Sequence, residues 1–414
     1  MPNFASKNRK MWLKSVVVGG RRTNVRISGG EIAEVGTAEP TSGPVRDFSG
    51  RTVYAAPGFV GFGVGMTAPG NEHRDSPEDL AASAVAGGFT DVVLVADGNT
   101  PFPDHADALV AAKRRYSCAE VDFHFTGAAT VGGKGAEMAE LYDMLLAGAT
   151  AFFDGYRPGL SAPILARVME YLGGFGALAV QTPLDAALAA DGLVNESPFT
   201  VRLGLKRIPP VAELVFVKTA LELVEYTDGR LHFTALTQAD AQSAVIAAAR
   251  RGLDVSYDLT PHHFRLTDEV LAGFDSNHKI FPPLRSSDNQ AALQAAFWND
   301  GDTGFFSVQH LPRTLEEKEM EFAAADFGVL GLETAAAATF DSARHAEWER
   351  RWSALPRRRL GLPPVEIRPG FPAKITLYEI ASNIVGRGGL RSRCANSPFL
   401  GMMLPLRVLG TVNG

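Results

Sequence analysis

Cysteine is nearly absent: Cys118 and Cys394 are the only two in 414 residues, and no C-x-x-C pair occurs. Two such residues build neither a disulfide framework nor a cysteine-ligated zinc site, and they point to a reducing, cytoplasmic compartment. A basic excess is missing as well. Lys and Arg number 40 against 46 Asp and Glu, a net charge of −6 that argues against a nucleic-acid partner. No apolar run approaches the ~18 residues of a membrane span. Lys7, Arg9 and Lys10 are followed by no apolar stretch of the secretory kind, so neither secretion nor membrane insertion is expected. Signatures of hydrolytic chemistry are missing too: the chain has no H-x-H, H-E-x-x-H, G-x-S-x-G or Walker-type loop. Gly132-Gly133-Lys134-Gly135 looks phosphate-like but lacks P-loop spacing and is expected only to lead into a helix.

What is there is ordinary globular material, 46% hydrophobic and long enough for one large core and a smaller satellite domain. Residues 11–36 hold short β-branched runs with Gly29-Gly30 as a hairpin turn. A matching strand is expected at 373–380, which suggests a small β-sandwich assembled from both ends of the chain. Between them strands are expected at 59–64, 90–95, 121–125, 150–153, 176–180, 231–234, 253–257 and 304–307. Helical patterns separate them, clearest at 135–146, 210–225, 238–251 and 314–325. Ser76-Pro77-Glu78-Asp79 reads as the start of another helix, which Gly87-Gly88 ends. Eight such units have the rhythm of an α/β (β/α)8 TIM-type barrel. The expected division is a barrel over 57–364 and a β-sandwich domain from 1–56 and 365–414. Trp348 and Trp352, four apart, share a helix face that packs on the barrel or meets a partner. Arg357 to Arg359 are expected as a solvated basic corner.

The organising stretch is 57–70, P-G-F-V-G-F-G-V-G-M-T-A-P-G. Gly61, Gly63 and Gly65 recur at a period of two, so a regular strand points all three to one face and Phe62, Val64 and Met66 to the other. Each glycine costs roughly 0.5–1 kcal/mol against alanine. Such a strand empties the barrel mouth of side chains, and Phe153, Phe305, Phe306 or Phe264, or water, is expected to refill it.

This stretch resembles the first barrel strand of dihydroorotases of the amidohydrolase superfamily, where P-G-F-V-D-x-H-x-H-x-R-x-P-G supplies two metal-binding histidines. Further segments match in order: A-G-G-F-T-D-V-V-L-V at 86–95, T-P-H-H at 260–263, D-S-N-H-K-I-F-P-P-L-R at 275–285, P-R-T-L-E-E-K at 312–318, G-L-E-T at 331–334 and N-S-P-F-L-G at 396–401. The resemblance implies a zinc site at the ends of strands one, four, five, six and eight. On that pattern the ligand positions are vacated at Gly63, Gly65, Gln181, Ala235 and Gln309, and Asp154 is the one surviving carboxylate. Thr67 and Asp97 replace a substrate-binding arginine and asparagine, and Asp97 is expected to repel a substrate carboxylate. Asn277, His262, His263 and His310 remain as vestigial substrate or catalytic candidates, with scaffold hydrogen bonding the more expected role of the histidines.

Gln is a poor zinc ligand and cannot act as a carboxylate base. Without metal, no group here lowers the pKa of an attacking water. The resemblance therefore implies no bound cofactor and a non-catalytic structural or regulatory subunit of pyrimidine biosynthesis. Its implied partners are aspartate carbamoyltransferase and further copies of the chain. The alternative is a hydrolase of a cyclic amide with a remodelled site built on Asp154, His262, His263 or His310.

Overall fold

A computed structural model describes residues 10–41, 43–97, 103–117 and 120–414; Lys7, Arg9 and Cys118 lie outside them. Eight parallel strands form one sheet in chain order: Phe59–Gly65, Phe89–Val95, Asp122–Gly127, Ala149–Phe152, Ala179–Gln181, Leu231–Phe233, Val255–Leu259 and Gly304–Phe306. The first and last meet just beyond the eighth strand. Val308 N donates to Phe62 O at 2.9 Å, His310 N to Gly63 O at 3.0 Å, and Gly65 N to His310 O at 2.9 Å. These bonds close the sheet into a barrel. Val60, Phe62, Val93, Val95, Ala151, Phe153, Leu178, Val180 and Phe305 fill its interior.

The sequence-expected helix over 77–87 forms as read. Ser76 caps it in a reciprocal pair with Asp79, and Gly88 ends it in the left-handed region at φ 92°. Two other helices are shorter than their patterns suggest. Only Leu141–Leu146 of 135–146 is helical, because Gly132, Gly133 and Gly135 adopt positive φ and Thr130 pairs with Met138 as an isolated bridge. Only Leu315–Lys318 of 314–325 is helical. The carbonyls beyond it bond to ammonium groups instead of to a helix ladder. Lys279 Nζ takes Phe322 O, Ala323 O and Ala325 O, and Lys318 Nζ takes Asp326 O and Gly328 O.

The terminal segments come together from both ends of the chain, as expected, in one seven-stranded sheet. Its order is Arg407–Asn413, Lys374–Glu379, Tyr54–Pro57, Met11–Val18, Arg21–Ser28, Glu31–Gly36, with Val45–Asp47 on the edge of Met11–Val18. Leu13, Val16, Val25, Ile27, Phe48, Ile375 and Leu377 give it a separate core.

Trp348 and Trp352 are fully buried against the barrel, both indole N–H groups donating to Thr339 Oγ1 at 3.2 and 3.0 Å. The expected basic corner divides. Arg358 is exposed, whereas Arg357 is buried beneath the barrel, where it pairs with Asp91 and donates to Gly58 O at 3.1 Å. Burial between Leu355 and Leu360, which cap the barrel end opposite the mouth, takes Arg357 out of water. Asp91 in turn bonds Lys374 at 2.6 Å and His124 at 3.0 Å. Burial pushes its carboxyl up, but the His124 bond and the charges of Arg357 and Lys374 outweigh burial and hold it well below the ordinary range.

Removing one partner of a buried pair strands the other charge. Arg357→Ala is expected to lower stability by ~2–4 kcal/mol and Arg358→Ala by less than ~0.5 kcal/mol. Urea denaturation of the two variants checks this; equal losses would contradict the buried assignment.

Candidate functional site

The carboxyl ends of the eight strands converge on one mouth, where (β/α)8 folds place their chemistry. At strand one the alternation breaks. A bulge lies between Phe62 and Val64 relative to strand two, and Gly63 has φ 88°. The three glycines therefore do not share a face. Gly61 points outward to Leu332 and Phe89, while Gly63 and Gly65 face the mouth. A Cβ at Gly63 would collide with the Tyr156 hydroxyl; one at Gly65 would lie 2.9 Å from Leu311 Cδ2 and 3.1 Å from Asp97 Cβ.

Tyr156, Leu311 and Asp97 thus take the space for which phenylalanines or water were expected. Phe153 acts at one remove, edge-to-face on Tyr156 with centroids 5.4 Å apart. Phe305 lies deeper, stacked on His232 at 4.8 Å. Phe306 and Phe264 pack against each other at 5.3 Å in the outer layer, where Phe306 also stacks on Trp352. Tyr156 is half-buried, with its hydroxyl out of contact with solvent and making no close hydrogen bond; burial pushes its phenol well above the ordinary range, Asp258 adds to the rise and Thr234 opposes it.

At strand four Asp154 is buried and accepts three donors: Ala129 N at 2.7 Å, Thr130 N at 3.0 Å and Thr130 Oγ1 at 2.6 Å. Burial raises its pKa against those bonds. At strand five Gln181 Oε1 accepts from Leu160 N at 2.9 Å. Beyond strand six Ala235 sits at φ 53° with its N–H on Asp258 at 2.9 Å. Beyond strand eight Gln309 sits at φ 41° and its side-chain amide donates to Phe281 O. Left-handed backbone at a non-glycine residue costs on the order of 1–3 kcal/mol, and both residues hold it at a strand end.

The three histidines are buried and face backbone. His263 Nε2 donates to Pro282 O at 2.8 Å while its Nδ1 accepts from Thr260 Oγ1 at 2.7 Å. His310 Nδ1 accepts from Gly331 N and Leu332 N, both at 3.2 Å, which leaves the proton on Nε2, 3.9 Å from Asp75. His262 Nε2 donates to Gln309 O at 3.3 Å. Burial pushes His262 down to about 4 and His263 and His310 down to about 3.

Asp97, Tyr156, Gln309 and Arg313 line one cavity of about 330 Å³ at the mouth, and Asp154, Gln181 and Thr182 line a second of about 290 Å³. Asn277 joins neither; it lines a separate depression with Lys318 and Cys394. Asp97 does not stand as a repelling charge. Arg313 holds it with two bonds of 2.6 and 2.8 Å, and Arg74 adds a third at 3.1 Å while its other nitrogens reach Glu317. Among the described residues no group of three or more His, Cys, Asp and Glu is placed to hold a metal ion.

Sequence reasoning missed Tyr156, the Arg74–Asp97–Arg313–Glu317 cluster and a polar network inside the barrel. In that network His232 bonds Asp258 at 2.9 Å and Ser256 at 2.8 Å, and Asp258 also accepts from Ser307. All three partners of His232 and Asp258 come from neighbouring strands, which sequence spacing does not reveal. For Tyr156 a signal existed: glycines at the mouth-facing end of strand one leave room for a large side chain from a neighbouring strand end.

Two outcomes test this geometry. Gly63→Ala adds a Cβ at positive φ against the phenol and is expected to lose ~2–4 kcal/mol. Tyr156→Phe in the same chain removes the colliding oxygen and should restore ~1 kcal/mol or more, whereas independent effects in a double-mutant cycle would contradict the contact. An unperturbed imidazole titrates near ~6.5. His262, His263 and His310 are expected to remain neutral at pH 5.5 by ¹⁵N NMR of the rings; a protonated ring among them would contradict the assigned bonds.

No family model matches the chain. A dihydroorotase of Pelotomaculum thermopropionicum is 34% identical over 389 residues, 92% of this chain and 90% of the relative. One of Anaeromyxobacter dehalogenans is 35% identical over 406 residues, covering 96% and 93%. Among solved structures, the L-hydantoinase (dihydropyrimidinase) from Arthrobacter aurescens superimposes with TM-score 0.83 at 20% identity over 97% of this chain and 94% of that one. The dihydropyrimidinase from Brevibacillus agri gives 0.78 at 19% over 97% and 93%. The barrel with its terminal sheet is therefore the hydantoinase fold, and the chain belongs to the dihydroorotase family.

Proposed function

We propose that this dihydroorotase-family protein of pyrimidine biosynthesis has lost the family zinc site and serves in the cytoplasm as a non-catalytic structural or regulatory subunit bound to aspartate carbamoyltransferase. The observation that carries the reading is the Tyr156 hydroxyl packed on Gly63, where the family pattern puts a metal-binding histidine. A catalytic zinc takes about three imidazole or carboxylate ligands and keeps an open position for water. The residues present do not fit that group. Gly63, Gly65 and Ala235 carry no donor, Gln181 Oε1 is engaged by Leu160, and Asp154 already accepts three protein donors. His262, His263 and His310 each bond backbone through one ring nitrogen; the other nitrogens of His262 and His310 have no partner, but among the described residues no set of three ligands gathers around them. What the chain retains is shape: a closed barrel and a terminal sheet, the properties that an assembly partner uses.

Coexpression with aspartate carbamoyltransferase of the same organism followed by gel filtration tests the proposal. A stable co-eluting complex with altered transferase assembly is the expected outcome; separate elution with an unaltered transferase would count against it. Purified alone and supplied with zinc, the protein is expected to show no ring opening of dihydroorotate, and chelator-sensitive turnover would contradict the loss of chemistry.

A further inference from the structure

The cavity of about 290 Å³ beside Asp154 is lined by donors that the packing leaves unused. Gln181 and Thr182, at the end of strand five, are only 3% and 1% exposed. Gln181 commits its Oε1 to Leu160 N, but among the described residues its Nε2 has no hydrogen-bond partner, and the Thr182 hydroxyl has none either. Buried donors without partners are rare and costly, and beside a cavity they point to an occupant. A helix end and two cations complete the walls. The helix Ala162–Gly173 starts at the cavity, and its N-cap Ser161 makes no side-chain cap, which leaves the first-turn N–H groups short of an acceptor. Arg157 lines the cavity while donating to Gly133 O. Lys134 lines it as well, is exposed, and makes no ion pair among the described residues. Asp154 is the one carboxylate in the lining, and both its oxygens already accept protein donors. The Gly132-Gly133-Lys134-Gly135 loop does not act as a phosphate cradle through its backbone. Its N–H groups donate to Asp104, Thr130 O, Val131 O and Thr130 Oγ1, so what it brings to the cavity is the Lys134 side chain.

We propose that this cavity binds the phosphate group of a small phosphate monoester. A hydroxyl, an amide N–H2, a helix N-terminus and two cations face a single carboxylate that is already satisfied, a balance that selects an anion. These groups come from strand five, from the helix Ala162–Gly173 and from the loop around Lys134. Donors on three sides suit a tetrahedral oxyanion, whereas a planar carboxylate is held best by one fork of parallel bonds. The volume lies at the lower end of the ~300–1,000 Å³ of small-molecule sites. It accommodates a phosphate with a short organic body, which can extend toward solvent past the exposed Ser161 and Lys134. The inference rests on the loss of the zinc site, because Gln181 stands at one of the family's ligand positions.

Isothermal titration calorimetry of the full chain with inorganic phosphate and with ribose 5-phosphate tests it, with ribose and acetate as controls and the zinc content of the same preparation measured by mass spectrometry. Both phosphates are expected to bind at millimolar concentration or below, ribose not at all and acetate more weakly. Lys134→Ala and Thr182→Val should each weaken phosphate binding by about tenfold. Both should keep the melting temperature of the parent, since one side chain is exposed and the other loses only an unpartnered hydroxyl. Arg358→Ala, at the barrel end opposite the mouth, should bind as the parent does. Zinc-free protein that binds no phosphate, acetate that binds as tightly as phosphate, or phosphate binding unchanged in both cavity variants would overturn the inference and leave the loss of zinc standing. Stoichiometric zinc would instead overturn the reading on which it rests.

Discussion

The contact between the Tyr156 ring and the bare backbone of Gly63 determines what the barrel mouth can do. Strand one bulges there relative to strand two, and Gly63 takes the positive φ that the bulge uses. A side chain at that point would have to share space with the phenol, and none does. With the tyrosine in place, Leu311 and Asp97 close over Gly65, and Asp97 becomes the acceptor of two arginines. Packing and ion pairs thus take the space beside Gly63 and Gly65, and the cavities that remain at the mouth are lined by Tyr156, Asp97, Gln309 and Arg313 and by Asp154 and Gln181.

The rest of the barrel repeats the same economy. Its interior polar groups answer one another across strands six, seven and eight, as His232, Asp258 and Ser307 do. Its lower end holds Arg357 and Asp91 in a pair that water does not reach. Such networks fix the arrangement of neighbouring strands because any displacement would leave a buried donor or acceptor unpartnered. Ala235 and Gln309, both in left-handed backbone at strand ends, keep a strained geometry that their side chains do not explain.

The barrel was legible because strand and helix periods alternate eight times, and the family because several short motifs fall in order. The glycine stretch was legible as an anomaly, but its facing was not. A period of two assumes a regular strand, and the bulge at Gly63 turns Gly63 and Gly65 to the mouth while Gly61 faces outward. Helix lengths at 135–146 and 314–325 were overread because glycines with positive φ and two lysine ammonium groups compete for the backbone. Arg357 was misplaced for a related reason: a run of three arginines looks solvated in sequence, and only the position of Asp91 beneath the barrel draws one of them inside. Tyr156 lies two residues past Asp154, yet long-range packing against strand one is what gives it meaning.

The central claim is that protein atoms, Tyr156 foremost, occupy the space in which the family pattern puts zinc. Diffraction from crystals of protein produced in zinc-supplemented medium, recorded on both sides of the zinc absorption edge, measures this most directly. The expected map has no anomalous peak between Gly63, Gly65, Asp154 and Gln309 and shows the Tyr156 ring against Gly63. A zinc peak there with the ring displaced would contradict the account.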